Sequence, residues 1–206
     1  MSDDHRDEAG AAIGSPASSM PARFEALHAQ AVKELTTWEA PSAQQDAMRA
    51  RMLDALAADP TAMWRHHSPA HFTASLVVVD ADASRVALTL HAKAKRWFQF
   101  GGHLEADDAS PAAAALREGV EESGLGMGRL RLLPGLLAVD IHPLTGSFRW
   151  CTTHLDLRYA AVAVDESLSA SDESDDVRWF DVDALPTDAE PALRDTVAWA
   201  CARVRG

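Results

Sequence analysis

The stretch Gly101 to Leu125, GGHLEADDASPAAAALREGVEESGL, decides how this chain is read. Its second half places three carboxylates on one helical face. On a helix wheel, Glu118, Glu121 and Glu122 fall within an arc of about 100°, while Ala113, Leu116 and Val120 fall on the opposite side. One face is therefore suited to a core and the other to charge. Ser110 followed by Pro111 forms an N-cap and first-turn pair, and Gly124 stands where a C-terminal cap belongs. At a separation of about 6 Å, each pair of like charges costs roughly 0.7 kcal/mol in water and about 3 kcal/mol at an effective dielectric of 20. A partly sheltered cluster of this kind calls for a hard cation, and carboxylate oxygens suit Mg²⁺ or Mn²⁺. Taken by itself, the same pattern also fits a solvated helix face.

The surrounding residues resolve that choice. Arg117-Glu118-Gly119-Val120-Glu121-Glu122-Ser123-Gly124-Leu125 resembles the R-E-U-x-E-E-x-G-U half of the Nudix hydrolase signature, in which U is apolar. Only Gly119 departs from it. The Gly-Gly-x-x-Glu start is intact as Gly101, Gly102 and Glu105. The glutamate expected next falls on Asp108, and one extra residue separates that position from Arg117. The helix is expected to begin at Ser110 or Pro111, with the extra residue absorbed in the loop, because a one-residue slip of the helix would turn the glutamates by about 100°.

The resemblance implies an α/β fold, a Nudix-type α/β/α sandwich with a mixed sheet, here preceded by an N-terminal helical extension. It also implies a divalent-metal-dependent hydrolase. Its substrate would be a nucleoside diphosphate linked to another moiety: a nucleotide sugar, an ADP-ribose-like compound or a nucleoside triphosphate. Glu118, Glu121 and Glu122 take the role of metal ligands for Mg²⁺ or Mn²⁺, with the Gly101 carbonyl region beside them. Arg117 is a structural partner that orients the loop through Glu105, and Gly102 lets the backbone pass close to the helix. Glu121, Glu122 or the more distant Glu173 would serve as general base. Such an enzyme needs an activated water and neutralisation of charge on the phosphoryl oxygens.

Composition agrees with this picture. A chain of 206 residues is long enough for one sizeable domain plus an appendage. No apolar run approaches the roughly 20 residues of a membrane span, and the acidic start, MSDDHRDEAGAAIGSPASS, lacks an apolar signal core. Two cysteines, Cys151 and Cys201, give no disulfide framework, so a reducing cytoplasm is expected. A net charge of −12 argues against a nucleic-acid polymer as partner. A small phosphorylated substrate remains compatible, because bound cations invert the local field.

Residues 1–20 are small, polar and aperiodic and read as a disordered tail. Residues 21–67 read as a helical extension. Phe24, Leu27, Ala31, Val32, Leu35 and Trp38 recur at helical spacing, and Ser42-Ala43-Gln44-Gln45 has the pattern of a capping box. The extension serves either as a packing cover or as part of a homodimer interface. Residues 68–206 carry the remainder as a Nudix domain, with strands expected at Ser75 to Asp80, Arg85 to His91, Leu132 to Ile141, Arg149 to Val164 and Val177 to Phe180, and with Arg96 to Phe100 feeding the glycines. A closing helix spans about Glu190 to Val204. The acidic run Asp172 to Asp176 reads as a loop.

Four histidines, His71, His103, His142 and His154, stand near strand ends or beside the glycine loop. Each taken alone reads as a hydrogen-bonded structural residue. Together they raise a second possibility, since isopentenyl-diphosphate isomerase shares the Nudix fold and holds a metal through histidines plus glutamates. Against it, the full glutamate set is kept, and Cys151 reads as a packed residue. A Nudix domain retained as a non-catalytic ligand binder is the third alternative. For substrate contact the candidates are Trp97, Phe98, Phe148, Trp150 and Arg158, because aromatics stack and arginine grips phosphate bidentately. His154, Asp156 and Arg158 alternate along one strand and share a face.

Overall fold

The computed structural model describes residues 22–144, 151–164, 167–170 and 174–206. The expected tail at residues 1–20 lies outside them, as do Phe148, Trp150 and Glu173. Two central strands organise the sheet: β1 (Ala70–Val79) and β7 (Thr153–Ala163), which run parallel from Ala70↔Thr153 to Val79↔Val162. Both are almost wholly buried, as expected of strands covered on two faces. On the far side of β1 lie β2 (Arg85–His91) and β4 (Phe100–His103), both antiparallel to it. The two-residue β3 (Trp97–Phe98) and β8 (Ser174–Asp181) pair with β2. On the far side of β7 lie β5 (Leu130–Leu132) and β6 (Ala138–Pro143).

Among the described residues there are four α-helices: α1 (Ala22–Thr37), α2 (Ala43–Ala58), α3 (Pro111–Ser123) and α4 (Leu193–Arg205). One sheet face packs Phe72, Leu76, Leu157 and Tyr159 against α3 and the extension, including Leu27, Leu35, Met52 and Leu56. The other face packs Val77, Val79 and Val162 against Leu193, Val197 and Ala200 of α4. The sheet is mixed and helices flank it. The extension shares a core with α3 and the sheet.

Several expectations need correction. β1 begins at Ala70, five residues before Ser75, because the buried side chains on one of its faces there, His71 and Thr73, are polar and break the apolar pattern. The segment Leu132 to Ile141 splits into β5 and β6, interrupted around Gly135, whose φ is +77°. Ser174 to Asp176 belongs to β8 and not to a loop. There Lys95 Nζ meets Asp175 at 2.6 Å, and Thr89 Oγ1 lies 2.6 Å from Ser174 Oγ. Only half of the capping box forms. Ser42 Oγ accepts from Gln45 N at 3.2 Å, but the Gln45 amide turns to β6, donating to Val139 O at 2.9 Å and accepting from Val139 N at 2.7 Å.

Candidate active site

Helix α3 starts and stops on its own sequence. Ser110 Oγ accepts from Ala113 N at 3.0 Å, Pro111 fills the first turn, and Gly124 closes the helix at φ +71°. The extra loop residue is therefore absorbed before the helix. The buried stripe runs through Ala114, Ala115, Gly119 and Ser123, with Leu116 and Val120 half-buried against the core and Ala113 off its centre. Gly119 explains this rotation. A Cβ there would lie 2.5 Å from Leu76 Cδ2, so the helix backs closely onto β1 at the position where the signature has a side chain.

That placement brings the glutamates to the glycine strand. A Cβ on Gly102 would lie 2.5 Å from Glu118 Oε1, so only glycine leaves the Glu118 carboxylate its place. Gly101 N–H donates to Glu122 Oε2 at 3.1 Å. Glu121 is the most open of the three, with its side chain 56% exposed. Burial, reinforced by the Glu121 charge, raises the Glu118 pKa despite the opposing pull of Arg117.

Arg117 ties three elements together, though not as expected. Its partner is Asp108 and not Glu105: Nε and Nη2 reach the two Asp108 oxygens at 3.0 and 3.1 Å. Glu105 contributes through its backbone: its N–H donates to Asp108 Oδ2 at 2.7 Å, and its carbonyl accepts from Asp108 N at 3.1 Å. Nη2 also donates to His103 O, and Nη1 to Glu118 and Glu121. Burial works against the Arg117 charge, but Asp108 and Glu118 outweigh it and push the pKa above the usual arginine range. The longer loop brings Asp108 back to the guanidinium, where its side chain is 6% exposed.

On the sheet face shared with α4, β1 and β7 turn polar beyond the helix. The Arg158 side chain is 1% exposed and held by Asp156, Asp140 and Glu190 at 3.0 to 3.4 Å. Burial opposes its charge, and these three carboxylates raise its pKa. Thr73 and Ser75 donate to Asp156 from the neighbouring strand. Trp97 is also structural, 8% exposed and edge-on to Phe180 at 4.7 Å. Phe98 is half-buried beside His91.

The four histidines do not stand alone. The centroid of the His71 ring lies 5.0 Å from that of His103 and 5.3 Å from that of His154; His103 and His154 are 5.3 Å apart, and His142 is 5.4 Å from His154. Cys151 joins them, its Sγ 3.4 Å from His71 Nε2, and is half-buried rather than packed in a core. Burial and the neighbouring imidazoles lower His103 to about 3 and His154 to about 4. His142 goes the other way, raised by its hydrogen bond to Asp140.

A family model described as NUDIX domain matches residues 69–200. The chain belongs to the Nudix family. Nudix hydrolases are in general pyrophosphohydrolases that need divalent metal ions and act on small phosphorylated substrates. Among solved structures, a C. elegans Ap4A hydrolase binary complex shares the fold with a TM-score of 0.56 and 16% identity, over 66% of this chain and 98% of that one. The E. coli dihydroneopterin triphosphate pyrophosphohydrolase gives 0.52 and 17%, over 61% and 91%. A Nudix hydrolase from Clostridium perfringens gives 0.48 and 27%, over 66% and 96%. No curated protein matches the chain in sequence. No helix among the described residues is long and apolar enough to cross a membrane.

Seen as a Nudix site, the structure gathers Glu118, Glu121, Glu122, Gly101, Gly102 and Arg117 at one place. Trp97 packs edge-on to Phe180, and the Arg158 guanidinium is ion-paired to Asp140, Asp156 and Glu190. The role of Asp108 had a signal in the sequence, since it occupies the signature's glutamate position. The Asp140–Asp156–Glu190 cradle around Arg158 had none, because its members come from three distant segments.

Proposed function

We propose that this Nudix enzyme hydrolyses the diphosphate link of a nucleoside diphosphate joined to a second moiety, using Mg²⁺ or Mn²⁺. One observation carries the reading: the Glu118 carboxylate lies against Gly102 while Gly101 N–H holds Glu122. A single guanidinium, Arg117, is shared by Asp108, Glu118 and Glu121, so this end of the glycine strand carries more carboxylate than cation. Oxygen donors with that excess of negative charge fit a hard divalent ion. Glu118, Glu121 and Glu122 would hold it, with the Gly101 carbonyl at their edge. When bound, such an ion supplies charge neutralisation at the phosphoryl oxygens and lowers the pKa of a water.

The chain's own residues account for the rest. Arg117 keeps loop and helix in register through Asp108. Glu121 is the most open carboxylate and is best placed to accept the proton of the attacking water, with Glu122 as the alternative. Among the described residues, Phe98 is the remaining aromatic candidate for stacking a base. Residues 68–206 form the catalytic unit, the N-terminal helices serve as its cover, and two free thiols suit a reducing cytoplasm.

The test is a panel of nucleotide sugars, dinucleoside polyphosphates, nucleoside triphosphates and prenyl diphosphates assayed with Mg²⁺ and with Mn²⁺. Metal-dependent release of phosphate-containing products from a nucleoside diphosphate derivative supports the proposal. Turnover of a prenyl diphosphate alone, or of nothing in the panel, overturns it.

A further inference from the structure

We propose that His71, His103, Cys151 and His154 form a second metal site, chemically distinct from the glutamate cluster and suited to Zn²⁺ or a similar borderline ion. One ligand atom from each residue can be chosen so that all four lie within 4.8 Å of one another. A tetrahedral zinc ion with three nitrogen ligands and one sulfur needs about 3.3 to 3.6 Å between them, so a contraction of roughly 1 to 1.5 Å closes the set.

The strands assemble the group. His71 sits across from His154 in the parallel β1–β7 ladder, and His103 stands one register step away opposite Thr73. Cys151 precedes β7, close to where Thr152 N donates to Pro69 O at 2.8 Å.

Two details point to a ligand beyond mere proximity. His154 Nε2 is buried and has no hydrogen-bond partner among the described residues, which costs free energy unless something occupies that lone pair or proton. His71 Nδ1 lies 2.8 Å from Ser68 O, so that nitrogen carries the proton and the Nε2 lone pair faces Cys151 Sγ. Such a backbone carbonyl behind the ring is how proteins orient a metal-binding histidine. Arg65 opposes the site, with Nη1 3.3 Å from His103 Nδ1. It is exposed and must swing aside if Nδ1 is the ligand. The donor set also sets the selectivity: imidazole and thiolate favour zinc-class ions, whereas the Glu118 group favours Mg²⁺.

Cobalt tests this directly, since Co²⁺ bound to thiolate gives a charge-transfer band. A Cys201→Ser protein titrated with Co²⁺ should show the band saturating at one equivalent. Adding Cys151→Ser should abolish it, and His154→Asn should weaken binding at least about tenfold. A Glu118→Gln, Glu122→Gln double variant should leave it intact. In the unmodified protein, one equivalent of Zn²⁺ should erase the band while millimolar Mg²⁺ should not, a measurement that needs no variant to fold. Absence of the band, its survival without Cys151, or its loss on removing the glutamates would each overturn the second site.

Discussion

Gly102 and Glu118 are in direct contact across the strand–helix boundary, so closely that a Cβ on the glycine would stand 2.5 Å from Glu118 Oε1. A methyl group there displaces a carboxylate, the far end of a side chain, and not a backbone segment. Gly102→Ala should therefore lower turnover at least about tenfold while the melting temperature moves little. Equal losses of stability and activity would show that the glycine serves packing alone.

Glu122→Gln keeps the shape of the side chain and its bond from Gly101 N–H but deletes the charge. Turnover should fall at least about tenfold in a protein with an unchanged circular dichroism spectrum. Unchanged turnover would remove the helix glutamates from the chemistry.

Metal should stabilise the fold, because the three carboxylates repel one another without it. At a hundred times its dissociation constant, Mg²⁺ adds about 2.7 kcal/mol, or roughly 5 to 10 °C for a chain of this size. Glu118→Gln should blunt that rise. Differential scanning fluorimetry with and without EDTA reads both, and a flat response in the unmodified protein would contradict the metal assignment.

Arg158 divides a structural reading from a substrate-binding one. Arg158→Leu leaves Asp140, Asp156 and Glu190 facing one another in the interior, and breaking a buried pair costs about 3 to 5 kcal/mol. The melting temperature should drop by on the order of 10 °C. A stable Arg158→Leu protein with a raised KM would return the residue to the substrate.

The β1–β2 turn gives a pH signature. Burial raises the Asp80 carboxyl, but hydrogen bonds from Ser84 and Arg85 outweigh it and hold its pKa below the usual value. The unfolded chain then binds the proton more readily, so this contribution is present at neutral pH. It is lost as pH falls through about 4 and below. Asp80→Asn should cost about 1 to 3 kcal/mol at pH 7 and progressively less toward pH 3, as read from urea midpoints. A penalty independent of pH would mean that the cradle does not depend on the charge.

What the sequence made legible was local. The Ser110 cap, the Gly124 stop and the glutamate face of α3 are each written within a few residues, and the fold supplies them as read. The partner of Arg117 was harder, because Glu105 and Asp108 compete for one guanidinium and the longer loop decides in favour of Asp108. Gly119 looked like a defect in the signature until Leu76, on another strand, filled the space. The histidine–cysteine group lies further out of reach. His71 and His154 are neighbours only because β1 and β7 run parallel in one register, and nothing near either residue announces it.

The Gln45 side chain meets both the N–H and the C=O of Val139, mimicking a single residue of an additional strand on the outer side of β6. An open strand edge is a template for another polypeptide. Helix α2 therefore does more than shield apolar surface: by lending one amide to the sheet border, it blocks the site where a second chain would begin to pair. Gln45→Ala would take both of these bonds from Val139 and leave its N–H and C=O without the amide that now meets them.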